Sequence, residues 1–169
     1  MKNWQKKLDV ITNLALLLCC IIFLTFLIQK YFIKEYKPDN KSSEINIEKL
    51  SSLGIDWSGH SKTLVIVLQK GCRFCEESMS FYQRLNNEFA SQENLHLVIV
   101  LDENKEEALK YLKDKKVEGM EILQSTPMSL GVRGTPTLLL IDNGGNIVKQ
   151  WVGKLPSSGE NDVFERLRS

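Results

Sequence analysis

Thr63-Leu64-Val65-Ile66-Val67-Leu68-Gln69-Lys70-Gly71-Cys72-Arg73-Phe74-Cys75 joins two different periodicities. Thr63 to Leu68 is a continuous β-branched and aliphatic run, the mark of a strand buried on both faces. Beyond it the apolar spacing lengthens. Phe81, Leu85 and Phe89 recur at i, i+4 and i+8 with Tyr82 beside them, while Glu76, Glu77, Arg84 and Glu88 fall elsewhere on the wheel. That spacing predicts one helix over residues 73–90. A buried strand handing over to a helix through a short loop is the beginning of an α/β layer.

Cys72 and Cys75 stand at that handover. Two intervening residues let both thiols lie on the first turn of the helix, close enough to join. The first thiol then meets unsatisfied backbone N–H groups and the positive end of the helix. Such surroundings favour the thiolate, which is the attacking species in disulfide exchange. Lys70, Arg73 and Phe74 surround the pair and are expected to modulate it. Lys70 and Arg73 add positive potential, and Glu76 and Glu77 oppose it. Two other readings share the same spacing. One is half of a zinc site, although the only other cysteines are Cys19 and Cys20 and the only histidines are His60 and His96. The other is a disulfide without exchange activity. Redox exchange is the reading taken, with no metal and no cofactor at the site.

Outward from the motif the alternation continues. Leu95 to Leu101 reads as a second buried strand, with His96 a tolerated strand residue. Residues 104–116 read as a helix whose acids lead and whose lysines trail, as suits the helix dipole. Thr137 to Ile141 is a third strand, Asn143-Gly144-Gly145-Asn146 a hairpin turn, and Ile147 to Val152 returns antiparallel. Residues 161–168 close with a short helix carrying Val163, Phe164 and Leu167. Pro136, in Gly134-Thr135-Pro136-Thr137, falls at a strand start, one of the few places where a sheet accepts proline. The order β-α-β-α-β-β-α implies a mixed sheet covered by helices.

The N-terminal part differs in kind. From Val10 to Ile28, 16 of 19 residues are apolar and none is charged. As a helix this run reaches roughly 28 Å, close to the hydrocarbon thickness of a bilayer. The expected division is a cytoplasmic segment 1–9, a transmembrane anchor 10–29, a linker 30–44 and a folded domain 45–169. The apolar run ends in Gln29-Lys30-Tyr31-Phe32, without the small-residue pattern of a cleaved leader. Leu16-Leu17-Leu18 ahead of Cys19 and Cys20 argues against acylation there. Lys2, Lys6 and Lys7 precede the span and Lys30, Lys34 and Lys37 follow it, so a count of lysines gives little bias. A short basic N-terminus normally stays in the cytoplasm, and Glu35, Asp39 and Glu44 dilute the charge on the far side, so the folded domain is expected outside. The whole chain has 169 residues, 25% of them charged, and a net charge of +1. That balance excludes an ordinary nucleic-acid binder, which is strongly basic. Four cysteines are too few for a disulfide-scaffold miniprotein.

The strand–Cys-x-x-Cys–helix unit, Gly131-Val132-Arg133-Gly134-Thr135-Pro136-Thr137, and the hairpin ending in Trp151-Val152-Gly153 together resemble the thioredoxin superfamily over residues 45–169. With the anchor, the chain is similar to its bacterial, extracytoplasmic thiol:disulfide interchange branch. The resemblance implies a thioredoxin-like fold and places the domain on the periplasmic side of a bacterial inner membrane, held by a single pass. It implies that Cys72 is the nucleophile and Cys75 the resolving thiol. Pro136 would be cis and pack against the disulfide, and the backbone of Thr135 would pair with the client polypeptide. The implied partners are client proteins with cysteines or disulfides, an unidentified redox-recycling partner and the lipid bilayer through residues 10–29.

The chain also departs from the family. Gly71 stands where a Trp is usual, and Arg-Phe replaces Gly-Pro or Glu-Pro. Val65-Ile66-Val67 lacks the buried acid of thioredoxin, and residues 117–128 read as an insertion in which Glu118 to Leu123 could form an extra strand. Two alternatives remain open: a thioredoxin-like copper-binding assembly module, since soft thiolates suit Cu(I), and a thiol peroxidase.

Overall fold

The computed structural model describes residues 14–23, 45 and 47–169. The chain divides into two compact units, Met1–Lys37 and Pro38–Ser169. In the first, residues 14–23 are helical (α1) and exposed. Among the described residues no helix is long and apolar enough to cross a membrane. The remainder of the span expected over residues 10–29 lies outside the described residues, as do the whole of the 1–9 segment and of the 30–44 linker.

The second unit is built on one five-stranded sheet in the order β3-β2-β1-β4-β5. Its strands are β1 (Lys62–Val67), β2 (Leu95–Leu101), β3 (Glu121–Gln124), β4 (Thr137–Asp142) and β5 (Ile147–Val152). β1, β2 and β3 run parallel, while β4 is antiparallel to both β1 and β5. The helices are α2 (Ile47–Ser51), α3 (Arg73–Glu77), α4 (Met79–Phe89), α5 (Lys105–Asp114) and α6 (Ser157–Arg168). The mixed, helix-covered α/β sheet expected from the sequence is present.

The central strands are buried on both faces, as their uninterrupted apolar runs require. Val65, Val67, Val98, Val100, Leu139 and Ile141 point to one side, where Ile45, Leu50, Leu130 and Val132 cover them. Leu64 and Ile66 alternate to the opposite side. Phe81 and Phe89 of α4 meet Phe164 of α6 with ring centroids 5.9 and 5.7 Å apart. Side chains of this size each contribute about 1.5–3 kcal/mol on full burial. Trp151 is fully buried, and its indole N–H donates to Asp162 Oδ2 at 2.9 Å, tying β5 to α6.

Three expectations change in detail. The single helix over 73–90 is broken at Ser78, where φ is −98° and ψ is 0°. The Ser78 hydroxyl donates to the Phe74 carbonyl at 2.8 Å, an internal bond that competes with helix continuity. The insertion does contain a strand, β3, which pairs with β2 through Ile99↔Ile122 and its neighbours. His96 is more engaged than a merely tolerated strand residue: its Nε2 lies 2.6 Å from Glu121 Oε2, and its ring stacks on His60 with centroids 4.7 Å apart. At the hairpin, Gly145 has φ +81° and lies against Trp57, where a Cβ would sit 3.1 Å from the indole.

Candidate active site

Sheet register brings the two distant motifs together. Val67, the last residue of β1, pairs with Thr137, the first of β4. The chain leaving β1 toward Cys72 therefore runs beside the chain arriving through Thr135 and Pro136. Both are at the edge of the sheet where the parallel strands end, the usual position of a functional crevice in α/β proteins.

The loop from β1 is short and shaped. Cys72 N–H donates to the Gln69 carbonyl at 3.2 Å, closing a turn. Gly71 sits within it at φ +77°, a conformation that disfavours side-chain-bearing residues. Cys72 then caps α3: its Sγ accepts from the Cys75 backbone N–H at 3.3 Å. As a thiol it also donates to the Thr135 carbonyl at 3.4 Å. The Thr135–Pro136 peptide is cis. Pro136 is anchored from behind, its carbonyl accepting from Gly153 N–H at 2.7 Å. Both cysteines are free thiols, Cys72 half-buried and Cys75 fully buried.

These surroundings separate the two thiols. Partial burial pushes Cys72 up, but hydrogen bonds from Cys75, from the Thr135 side chain and from the backbone of Cys75 and Phe74 outweigh it, so its pKa lies below the ordinary thiol value. The combined effect of hydrogen bonds to the charged form exceeds that of desolvation. Burial pushes Cys75 up to about 12, helped by its hydrogen bond to Cys72. The accessible sulfur is thus the acidic one, and the sheltered sulfur stays protonated.

The charged neighbours are arranged differently from the sequence expectation. Arg73 is exposed and bound to Glu77, Nε to Oε1 at 2.7 Å, so its charge is spent on that acid. Glu77 also binds Lys154 at 2.9 Å. Glu76 is bound by Lys115, and Tyr111 donates to its Oε1 at 2.7 Å. Both acids after the motif are therefore paired rather than facing Cys72 alone. Lys70 is exposed, and Phe74 presents a 51% exposed ring beside the thiols.

Cys72, Cys75, Thr135 and Pro136 converge. Arg73 does not reach the thiols but turns to Glu77. Among the described residues no group of three or more His, Cys, Asp or Glu is placed to hold a metal ion. Sequence reasoning missed Tyr82 and Tyr111, whose hydroxyls lie in electrostatic range of Cys75. The available signal was a tyrosine, with its polar tip, at a buried helical position that phenylalanine could fill.

The fold recurs in solved structures. StoA from Bacillus subtilis aligns at a TM-score of 0.52 with 19% identity, over 64% of this chain and 82% of that one. A putative thiol:disulfide interchange protein DsbE from Chlorobium tepidum aligns at 0.54 with 24% identity, over 67% and 82%. A thiol-disulfide isomerase from Corynebacterium glutamicum aligns at 0.53 with 19% identity, over 68% and 84%. At these identities the likeness is one of fold. No curated protein matches the chain by sequence. The model of the Thioredoxin-like domain family matches residues 58–166, most of the chain and both halves of the site, and the chain belongs to that family.

Proposed function

We propose that the chain is a thiol:disulfide oxidoreductase that exchanges disulfides with client proteins through Cys72 and Cys75. The observation that carries this reading is the asymmetry of the pair: an accessible, acid-shifted Cys72 capping α3 in front of a buried, protonated Cys75. A static disulfide needs no such difference, whereas stepwise exchange does.

The Cys72 thiolate attacks a client disulfide sulfur. A Cys72–client bond forms, the client disulfide breaks, and its other sulfur leaves and takes up a proton. Cys75 then attacks Cys72 Sγ, forming the Cys72–Cys75 disulfide and releasing the second client thiol. Run backwards, the same atoms oxidise a client dithiol. The direction follows from the reduction potential of the pair against its recycling partner. Thr135, whose backbone carbonyl already meets Cys72, offers backbone hydrogen bonds to the client beside the reacting sulfur. The exposed Phe74 ring supplies apolar contact there. The apolar segment 10–29 is read as a membrane anchor that holds the domain on the extracytoplasmic side.

The test is reduction of insulin disulfides by dithiothreitol, with the full chain added in mild detergent. Acceleration that Cys72→Ser abolishes is expected. Equal acceleration by Cys72→Ser, or none by the parent chain, would overturn the reading. Tight Cu(I) binding by a parent chain without exchange would assign it to metal handling instead.

A further inference from the structure

The resolving thiol presents a problem that β1 does not solve. Cys75 is fully buried and stays a thiol over the ordinary pH range. To attack Cys72 it must become a thiolate, and an ion within an apolar wall is costly without hydrogen-bond donors. β1 leads into the site as Val65-Ile66-Val67, with no polar side chain. Polar groups come from the helices and loops instead: Cys72 capping α3, Glu76 within it, Ser78 at the break, Tyr111 of α5 with Lys115 at its end, and Thr135 before β4. Glu103 before α5 acts on Tyr111, and its Oε2 has no partner among the described residues.

Most of these groups are already committed. The Ser78 hydroxyl donates to the Phe74 carbonyl, Tyr111 donates to Glu76, and Lys115 binds Glu76. Tyr82 is different. It is 1% exposed, and among the described residues its hydroxyl has no hydrogen-bond partner. Ser78 is near enough to act on it, but its hydroxyl donates to Phe74 and the two hydroxyls do not come into hydrogen-bond geometry. Cys75, Ser78 and Tyr82 are linked turn by turn through the break, Ser78 N–H donating to the Cys75 carbonyl and Tyr82 N–H to the Ser78 carbonyl, both at 3.2 Å, and both thiols act electrostatically on the Tyr82 hydroxyl. A buried hydroxyl without a partner destabilises the fold. A core needing only volume at this position would be better served by phenylalanine, as at the neighbouring Phe81.

Given exchange through Cys72 and Cys75, we propose that Tyr82 is a positioning residue for the resolving step, its uncommitted hydroxyl donating a hydrogen bond to the Cys75 thiolate as that thiolate forms. In that step the Cys75–Cys72 bond forms, the Cys72–client bond breaks, and the client sulfur leaves with the electron pair. The proton lost by Cys75 reaches the client thiol through solvent. Tyr82 keeps its own proton, because burial first, and the nearby thiols second, hold its ionisation far above the ordinary phenol range. The dithiol form thus carries an idle donor whose acceptor exists only during resolution.

The test uses the full chain carrying Cys19→Ser and Cys20→Ser, reduced and mixed rapidly with dithiobis-nitrobenzoate. The first nitrothiobenzoate released reports attack by Cys72, and the second reports resolution by Cys75. Tyr82→Phe keeps the ring and is expected to leave the first phase and the melting temperature unchanged, or the latter higher. The second phase should slow about tenfold, the worth of one hydrogen bond to a charged group, with its pH profile displaced upward. A second phase at the parent rate and pH profile would overturn the proposal. So would equal slowing of both phases with a lowered melting temperature, which would mark Tyr82 as packing alone. If the parent shows no release dependent on Cys72, or Cys75→Ser keeps both phases, the exchange reading itself falls and this inference with it.

Discussion

Isolating each thiol in turn gives the sharpest test of the site. In a background carrying Cys19→Ser and Cys20→Ser, Cys75→Ser leaves Cys72 as the lone thiol, and Cys72→Ser leaves Cys75. Cys72 has a pKa below 9.0, so at pH 7 its thiolate fraction exceeds about one in a hundred. Cys75 is pushed up to about 12, leaving about one thiolate in a hundred thousand. Alkylation proceeds through the thiolate, so the two rates at pH 7 should differ by about a thousandfold. The hydrogen bond that Cys75 donates to Cys72, and the charge of Cys72, are lost in Cys72→Ser, but burial, the largest cause of the Cys75 shift, survives it. Full burial of Cys75 slows iodoacetamide further, which works against the narrowing caused by removing the partner thiol. The assay is pseudo-first-order iodoacetamide labelling of each variant, read by mass, from pH 5 to 10. The Cys72 rate should rise and reach its plateau below the pH at which a free cysteine does. Equal rates, or a faster Cys75, would refute the separation of the two thiols.

Other consequences follow from the same structure. Cys75 is protonated more readily folded than unfolded, so its contribution to stability is complete below its ordinary value of 9.0 and is lost as pH rises toward about 12. Denaturant midpoints should therefore fall more steeply across that range for the parent than for Cys75→Ala; parallel curves would contradict this. Gly71→Ala places a side chain at φ +77° with open space around it, so the cost is backbone strain alone, about 1–2 kcal/mol in urea unfolding. Trp151→Phe removes the hydrogen bond to Asp162, while Arg166 still binds that carboxylate at 2.8 Å. The loss should be about 1.5–3 kcal/mol, seen as a lower denaturation midpoint with an unchanged slope. Arg73→Ala should leave the Cys72 alkylation rate nearly unchanged, since its guanidinium already serves Glu77; a large drop would restore the direct role expected from sequence.

Much of this molecule was legible from local pattern. The apolar run Thr63–Leu68 and the i, i+4, i+8 spacing of Phe81, Leu85 and Phe89 reflect burial on a sheet and on a helix face, and both elements are where that pattern puts them. The position of Cys72 at the handover follows from the same change of period. β3 was only half visible, because Glu121-Ile122-Leu123-Gln124 has no strong strand signature and takes its form from pairing with β2.

The sequence by itself determined the central strands, the helices between them and the pairing of two cysteines on one turn, because those depend on neighbours within a few residues. Only the tertiary structure decided which sulfur is acidic. That depends on the sheet register bringing the Thr135 side chain, and the turn bringing Cys75, to hydrogen-bond Cys72, and on how deeply packing encloses Cys75. It also decided that Arg73 serves Glu77, that Glu76 is held by Tyr111 of α5, and that the Tyr82 hydroxyl is left without a partner among the described residues. Hydrogen bonds, ion pairs and desolvation act through space over a few ångströms, and chain folding, rather than residue order, sets which groups come within that distance.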